Sequence, residues 1–189
     1  MIYFTSDTHF SHDKDFVYSP RGFNSLEEEE IALINNWNSV VSNEDDIYVL
    51  GDFFLGSGTD HINKILDQLN GKIHLIIGNH DSPVKLKFYE SCDKIIEIVW
   101  ATQIRYKKRY FYLSHYPTIT SNYSNDSDNS HRVIYNLFGH THSKDKFYDN
   151  NPYMYNVAVD AHNNYPVSIN DIIIDIQNFL NNGGDSNES

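Results

Sequence analysis

Five short apolar stretches of this chain stop at the same kinds of residue, and this pattern narrows the possible folds sharply. Ile2–Ser6 runs into Asp7, Ile47–Leu50 into Gly51-Asp52, and Ile73–Ile77 into Gly78-Asn79-His80-Asp81. Tyr110–Leu113 runs into Ser114-His115, and Val133–Phe138 into Gly139-His140. Each stretch is rich in β-branched or aromatic residues and ends at glycine or polar side chains, which predicts a short strand. Helical patterns lie between them. Ser25-Leu26-Glu27-Glu28 opens one as a capping box, with Ile31, Ile34 and Trp37 following at helical spacing. A second starts near Thr59, carries the stripe Ile62, Ile65, Leu66 and Leu69, and stops at Gly71. Ser82-Pro83 starts a third, with proline at its first position. Ile172, Ile173, Ile176, Phe179 and Leu180 form a last stripe, read as a helix with a strand over Ile172–Ile176 as the rival. Alternating strands and helices indicate the α/β class.

In the second half, Glu97–Leu113 reads as a hairpin with the basic tip Arg105-Tyr106-Lys107-Lys108-Arg109, either a solvated turn or a phosphate-steering patch. Ser121–Ser130 is a polar loop of low complexity. The 189 residues, 40% hydrophobic and 14% aromatic, suffice for one globular domain, expected over 1–180, with 181–189 as a frayed tail. No apolar run approaches the roughly 20 residues of a membrane span. Met1–Asp7 lacks the basic region of a signal peptide, and the single cysteine, Cys92, excludes an internal disulfide framework. Together these predict a cytoplasmic protein without membrane partners. The net charge of −12 argues against tracking a long nucleic-acid duplex, although a bound cation can still dominate a local field.

The strand ends hold the chemistry, as expected where sites form at the carboxyl ends of strands. Asp7 and His9 are two apart, as are His140 and His142. In extended backbone such pairs face one side. A carboxylate and an imidazole together suit a borderline divalent cation such as manganese, iron, zinc or nickel. His80 followed by Asp81 is the arrangement in which a carboxylate orients an imidazole. Asp7, His9, Asp52, Asn79, His115, His140 and His142 make seven candidate ligands. A single catalytic zinc takes three protein ligands and water, so seven suit two ions sharing a carboxylate.

The series Asp7-x-His9, Gly51-Asp52, Gly78-Asn79-His80-Asp81, His115 and Gly139-His140-x-His142 resembles the calcineurin-like metallophosphoesterase family. All five motifs stand in order and complete at their ligand positions. Thr8–His12, Trp37-Asn38, and Asn156–Asp160 followed by Tyr165-Pro166-Val167-Ser168 further resemble small phosphoesterases of bacteria and phages, which places the chain in a bacterial or phage-infected cell. The resemblance implies a four-layer α/β/β/α sandwich. It also implies one metal on Asp7, His9, Asp52 and His142, and another on Asp52, Asn79, His115 and His140, with Asp52 bridging. Manganese is the favoured metal. A hydroxide between the metals would attack phosphorus, with His80 at the leaving group and Asp81 oriented to it.

The chain departs from the Ser/Thr protein phosphatases of this superfamily. Gly51-Asp52 continues as Phe53-Phe54-Leu55-Gly56 in place of Asp-Arg-Gly, and Asp81 stands where those enzymes have Glu. The segment between His115 and Gly139 is too short for a cap domain, so an open site is expected. His12, at the rim, is the candidate substrate contact; Arg21, Tyr116 and Arg132 are weaker ones. His61, His74 and His131 read as surface or structural, and His162 and Asn163 have no assigned role. These features predict a phosphodiesterase acting on a small phosphoester or nucleotide-type substrate. A phosphomonoesterase or a nuclease for short nucleic acid is the alternative. A silent scaffold module would have lost ligands, and this chain has lost none.

Overall fold

The structure, a computed structural model, describes residues 1–56, 58–120 and 133–183. The apolar stretches become strands with boundaries shifted by a residue or so. They are β1 (Ile2–Thr5), β2 (Asp46–Leu50), β3 (Lys72–Ile76), β4 (Ile95–Val99), β5 (Ala101–Tyr106), β6 (Arg109–Ser114), β7 (Ile134–Phe138), β8 (Met154–Asn156) and β9 (Val167–Ser168). The helices are α1 (Asp15–Tyr18), α2 (Leu26–Val40), α3 (Thr59–Gln68), α4 (Pro83–Tyr89) and α5 (Ile169–Gly183). β8 and β9 are too short to show a periodicity of their own, and the sequence reading did not find them.

One sheet runs β4-β3-β2-β1-β9, with β1 to β4 parallel and β9 antiparallel to β1. The other runs β5-β6-β7-β8, with β6, β7 and β8 parallel. Parallel pairing brings the carboxyl ends of β1, β2 and β3 to one edge, and likewise those of β6 and β7. Both faces of the first sheet are buried, as parallel sheets require. Ile47, Val49, Ile73 and Leu75 pack against Leu33 and Trp37 of α2, Ile62, Ile65 and Leu66 of α3, and Tyr89 of α4. On the other face Phe4, Leu50 and Ile76 meet Phe111, Leu113, Leu137 and Tyr155 of the second sheet. Ile169, Ile172, Ile173 and Ile176 of α5 join that cluster, which settles the C-terminal stripe as helical. The result is the expected α/β/β/α sandwich. Each large side chain so buried contributes roughly 1.5–3 kcal/mol. Among the described residues, no helix is long and apolar enough to cross a membrane.

Several expectations change. Ile31 is 54% exposed, while Leu33, Trp37 and even Glu29 and Glu30 are buried. The buried face of α2 is rotated because buried partners draw in the two carboxylates: Arg21 binds Glu29, and Ser11 N–H binds Glu30. The capping box is displaced: Ser25 Oγ accepts from Glu28 N–H, but the Glu28 carboxylate reaches Asn24 rather than Ser25. α3 ends at Gln68, and Gly71 serves the turn into β3 instead. The hairpin begins at Ala101, because Glu97–Val99 pair with β3 in the first sheet and the chain changes sheet at Trp100. Its tip, Lys107-Lys108, has left-handed φ at both residues, as a tight two-residue turn demands. α5 runs to Gly183, past the expected boundary at 180. The polar loop Ser121–Ser130, His131, Arg132 and residues 184–189 lie outside the described residues.

Candidate functional site

The loops leaving β1 and β2 are zipped together by backbone bonds, from Asp7 N–H to Gly51 C=O (3.1 Å), His9 N–H to Asp52 C=O (3.1 Å) and Phe10 N–H to Phe53 C=O (3.0 Å). Gly139 N–H donates to His115 C=O (3.0 Å) and joins the loops leaving β6 and β7 in the same way. Five of the seven candidate ligands do not use extended backbone. Asp7 (φ 56°), His9 (49°), Asp52 (54°), His140 (69°) and His142 (50°) are all left-handed. This conformation is uncommon outside glycine and, when clustered, marks functional sites. It corrects the reading of the two pairs as i and i+2 of a strand. The left-handed residues turn each loop back on itself, and His140 and His142 part company.

His142 Nε2 lies 3.2 Å from His9 Nε2 and 3.8 Å from Asp7 Oδ1. The His140 ring instead stands edge-on to His115, with centroids 5.0 Å apart. His115 Nε2 is 2.9 Å from Asn79 Oδ1 and 3.6 Å from Asp52 Oδ2. Asp52 Oδ2 is also 3.7 Å from His9 Nε2 and 3.9 Å from His80 Nε2. All seven candidate ligands therefore meet around Asp52 and Asp7.

The donor set fits divalent cations. In two groups, Asp7 with His9 and His142, and Asp7 with Asp52 and His115, one ligand atom from each residue lies within 4.8 Å of the others. Asp7 Oδ1 is buried without a hydrogen-bond partner, an expensive state for a carboxylate unless a cation faces it. Burial pushes the Asp7 carboxyl up, although His115 and His142 pull the other way. Burial, followed by His142 and Arg21, holds the His9 imidazole down to about 2. Burial and then His115 also lower His140. Neutral rings with free lone pairs are the form in which imidazoles bind metals.

The surrounding residues depart from expectation. Asp81 does not orient the His80 ring. Its Oδ2 accepts from Gly78 N–H (2.8 Å) and Asp52 N–H (3.0 Å), because neighbouring side chains diverge and this one turns inward. Lys85 Nζ donates to His80 C=O (2.9 Å) and Phe54 C=O (2.7 Å), tying down the same turn. The His80 side chain is half exposed, and the backbone N–H of His80 donates to Asp52 Oδ1 (2.8 Å). His12 lies beside His9, with ring centroids 5.8 Å apart, and Tyr116 flanks His140 at 4.6 Å; both are partly or largely exposed. Arg21 is no surface contact. Its side chain is buried and bound to Asp160, Glu29 and the carbonyls of Asp7 and Thr8. Asp160 Oδ2 in turn accepts from His142 Nδ1 (3.0 Å). Burial would raise Asp160, but the bonds from His142 and Arg21 hold it at about 2. His162 Nε2 binds Asn156 C=O, His61 pairs with the buried Glu30 of α2, and His74 pairs with the exposed carboxylates of Asp46 and Glu97, so all three are structural. Sequence reasoning missed Asp160 and Lys85. Asp160 ends the stretch Asn156–Asp160 that carried the narrower resemblance but no role, Lys85 belongs to no motif, and no local spacing links residue 160 to residue 142 or residue 85 to residue 54.

Comparison with known proteins gives the family and the fold. The chain is 36% identical over 178 residues to MJ1445 of Methanocaldococcus jannaschii, itself described as uncharacterised, covering 92% of this chain and 89% of that protein. It is 28% identical over 162 residues to the Gene 66 protein of Mycobacterium phage L5, covering 75% and 77%. A protein of unknown function from Aquifex aeolicus, AQ665, has a similar structure, with a TM-score of 0.67 at 26% identity over 92% of this chain and 98% of that one. The family model described as the calcineurin-like phosphoesterase superfamily domain matches residues 1–158. The chain belongs to the calcineurin-like phosphoesterase superfamily.

Proposed function

We propose that the chain is a phosphoester hydrolase that uses two divalent cations and prefers diesters or nucleotide-type substrates to monoesters. One observation carries the two-ion reading: Asp52 Oδ2 stands 3.7 Å from His9 Nε2 and 3.6 Å from His115 Nε2, facing both clusters at once. Asp7, His9, Asp52 and His142 would hold one ion, and Asp52, Asn79, His115 and His140 the other. Manganese is favoured, with iron, zinc and nickel suited to the same donors. Such a pair, when bound, lowers the pKa of a coordinated water and neutralises phosphoryl oxygens.

The chain's own residues supply the rest. His80, half exposed beside Asp52, is placed to hydrogen-bond and protonate the departing oxygen. Its N–H bond to Asp52 Oδ1 fixes the loop that carries it relative to the shared carboxylate. Lys85 and Asp81 clamp that turn from below. His12 at the rim is the candidate contact to the substrate's remaining groups.

The preference for diesters rests on arginines. Arg21 is buried and fully engaged beneath the site. Arg105 lies near the end of β5 and Arg109 at the start of β6, both at the hairpin tip and at the opposite end of β6 from His115, so the basic tip does not grip phosphate there. Among the described residues no arginine is left to grip a monoester dianion, while an open site has room for a second ester group. The acidic surface disfavours long nucleic acid.

Hydrolysis of bis-p-nitrophenyl phosphate and p-nitrophenyl phosphate with Mn²⁺, with metal content measured on the same sample, tests this. Metal-dependent turnover with higher kcat/KM on the diester is expected. Turnover of the monoester alone would end the diester reading, and no turnover by fully loaded protein on a wider phosphoester panel would end the hydrolase reading.

A further inference from the structure

The imidazoles of the site are held in two different ways. His115 Nδ1 lies 2.8 Å from the main-chain carbonyl of Leu50. A carbonyl only accepts, so Nδ1 carries the proton and Nε2 presents its lone pair to the site. The backbone of β2 makes that arrangement permanent. His142 has no such carbonyl. Its Nδ1 meets Asp160 Oδ2 at 3.0 Å, so a side-chain carboxylate sets its tautomer and leaves Nε2 facing Asp7 and His9.

Asp160 is itself gripped by a guanidinium fork, from Arg21 Nε to Oδ1 (2.9 Å) and Nη2 to Oδ2 (3.1 Å). The same guanidinium donates from Nη2 to Asp7 C=O (2.7 Å) and from Nη1 to Thr8 C=O (3.2 Å). Nη1 also binds Glu29 Oε1 at 2.9 Å. Arg21 and Glu29 side chains are 2% and 1% exposed, so this hub is shielded from water and its geometry is fixed. One buried arginine thus holds the backbone that carries Asp7 and His9 together with the carboxylate that aims His142. Those three residues form one of the two groups of converging ligand atoms. Neither Arg21 nor Asp160 contacts Asn79, His115 or His140; the link to that side runs through Asp7, whose Oδ2 accepts from His140 N–H (2.8 Å) and whose carboxylate also converges with Asp52 and His115.

We propose that Arg21 and Asp160 are positioning residues for one half of the site only. They preset Asp7, His9 and His142 for their divalent cation and leave the ion on the side of Asn79, His115 and His140 unaffected. The inference rests on the two-ion reading above. Its consequence is that the two ions differ in what supports them: on one side His115 is fixed by the Leu50 carbonyl, and on the other His142 rests on a removable salt bridge.

The test is stepwise Mn²⁺ titration of metal-stripped wild type and Asp160→Asn, followed by electron paramagnetic resonance. Spin-coupled and isolated Mn²⁺ give different spectra. Wild type is expected to bind two ions as a coupled pair. Asp160→Asn is expected to keep one at wild-type affinity and bind the other about 10–100-fold more weakly, leaving an isolated Mn²⁺ spectrum. In metal-free protein at alkaline pH, ¹⁵N NMR is expected to show His142 protonated on Nδ1, with the variant shifted toward Nε2. Arg21→Lys, which keeps the buried charge but loses the fork, is expected to weaken the same ion, and it carries the test if Asp160→Asn does not fold. Equal weakening of both ions, or unchanged binding with an unchanged His142 tautomer, would overturn the proposal. Wild type binding fewer than two ions would overturn the two-ion reading itself, a failure visible without any variant.

Discussion

At position 139 one loop of the site passes so close to another that a methyl group has no room. A Cβ there would lie 1.9 Å from Ser6 Oγ and 2.4 Å from Asp7 Oδ2, the oxygen that accepts from His140 N–H. The glycine therefore allows the close approach of the loop from β7 to the carboxylate at the end of β1. Gly139→Ala is expected to cost at least about 1–3 kcal/mol of stability and to weaken Mn²⁺ binding as Asp7 is displaced. Thermal unfolding of metal-free protein, with Mn²⁺ titration alongside, checks this; a variant matching wild type in both would show that the loop yields at no cost. At this scale the ligand types were legible from their spacing at strand ends, but the partners of individual side chains were not. Asp81 follows His80 in the chain, yet its carboxylate turns to the N–H groups of Gly78 and Asp52. Adjacency in sequence does not decide where a buried carboxylate finds donors.

The helices show the same division. The apolar stripe of α3 was readable because nothing competes with it: Ile62, Ile65 and Leu66 are all buried. In α2 the pattern was misleading, since buried ion pairs outrank a stray isoleucine in choosing the inward face. Leu33 is 3% and Ile31 54% exposed. Leu33→Ala is expected to lose about 2–5 kcal/mol, and Ile31→Ala to stay within about 0.5 kcal/mol of wild type. Urea unfolding of the two variants tests which face of α2 is the core face, and a reversed order would contradict the packing described here. Strand ends were predictable because glycine and polar residues stop a β run, whereas the change of sheet at Trp100 was invisible, since an apolar stretch carries no mark of which neighbour it pairs with.

For the molecule as a whole, a net charge of −12 surrounds a site proposed to receive anions. Long-range repulsion of a phosphoester is then screened by salt, because the Debye length falls from about 30 Å at 0.01 M to about 8 Å at 0.15 M. kcat/KM for bis-p-nitrophenyl phosphate is expected to rise over that range, by no more than about tenfold. A steep fall measured at fixed Mn²⁺ would mean that local cationic contacts dominate the approach. The sequence by itself determined the α/β class, the strand ends as the place where ligand-type residues gather, and the set of seven such residues. These depend on local backbone preference and side-chain type, which each short segment carries with it. The resemblance already assigned His140 and His142 to different neighbours, but only the tertiary structure decided that Arg21 is buried beneath the site and that Asp160 aims one imidazole. Those facts depend on which distant loops meet when two sheets stack, and burial gives a hydrogen bond between residues 21 and 160 a weight that no pattern along the chain records.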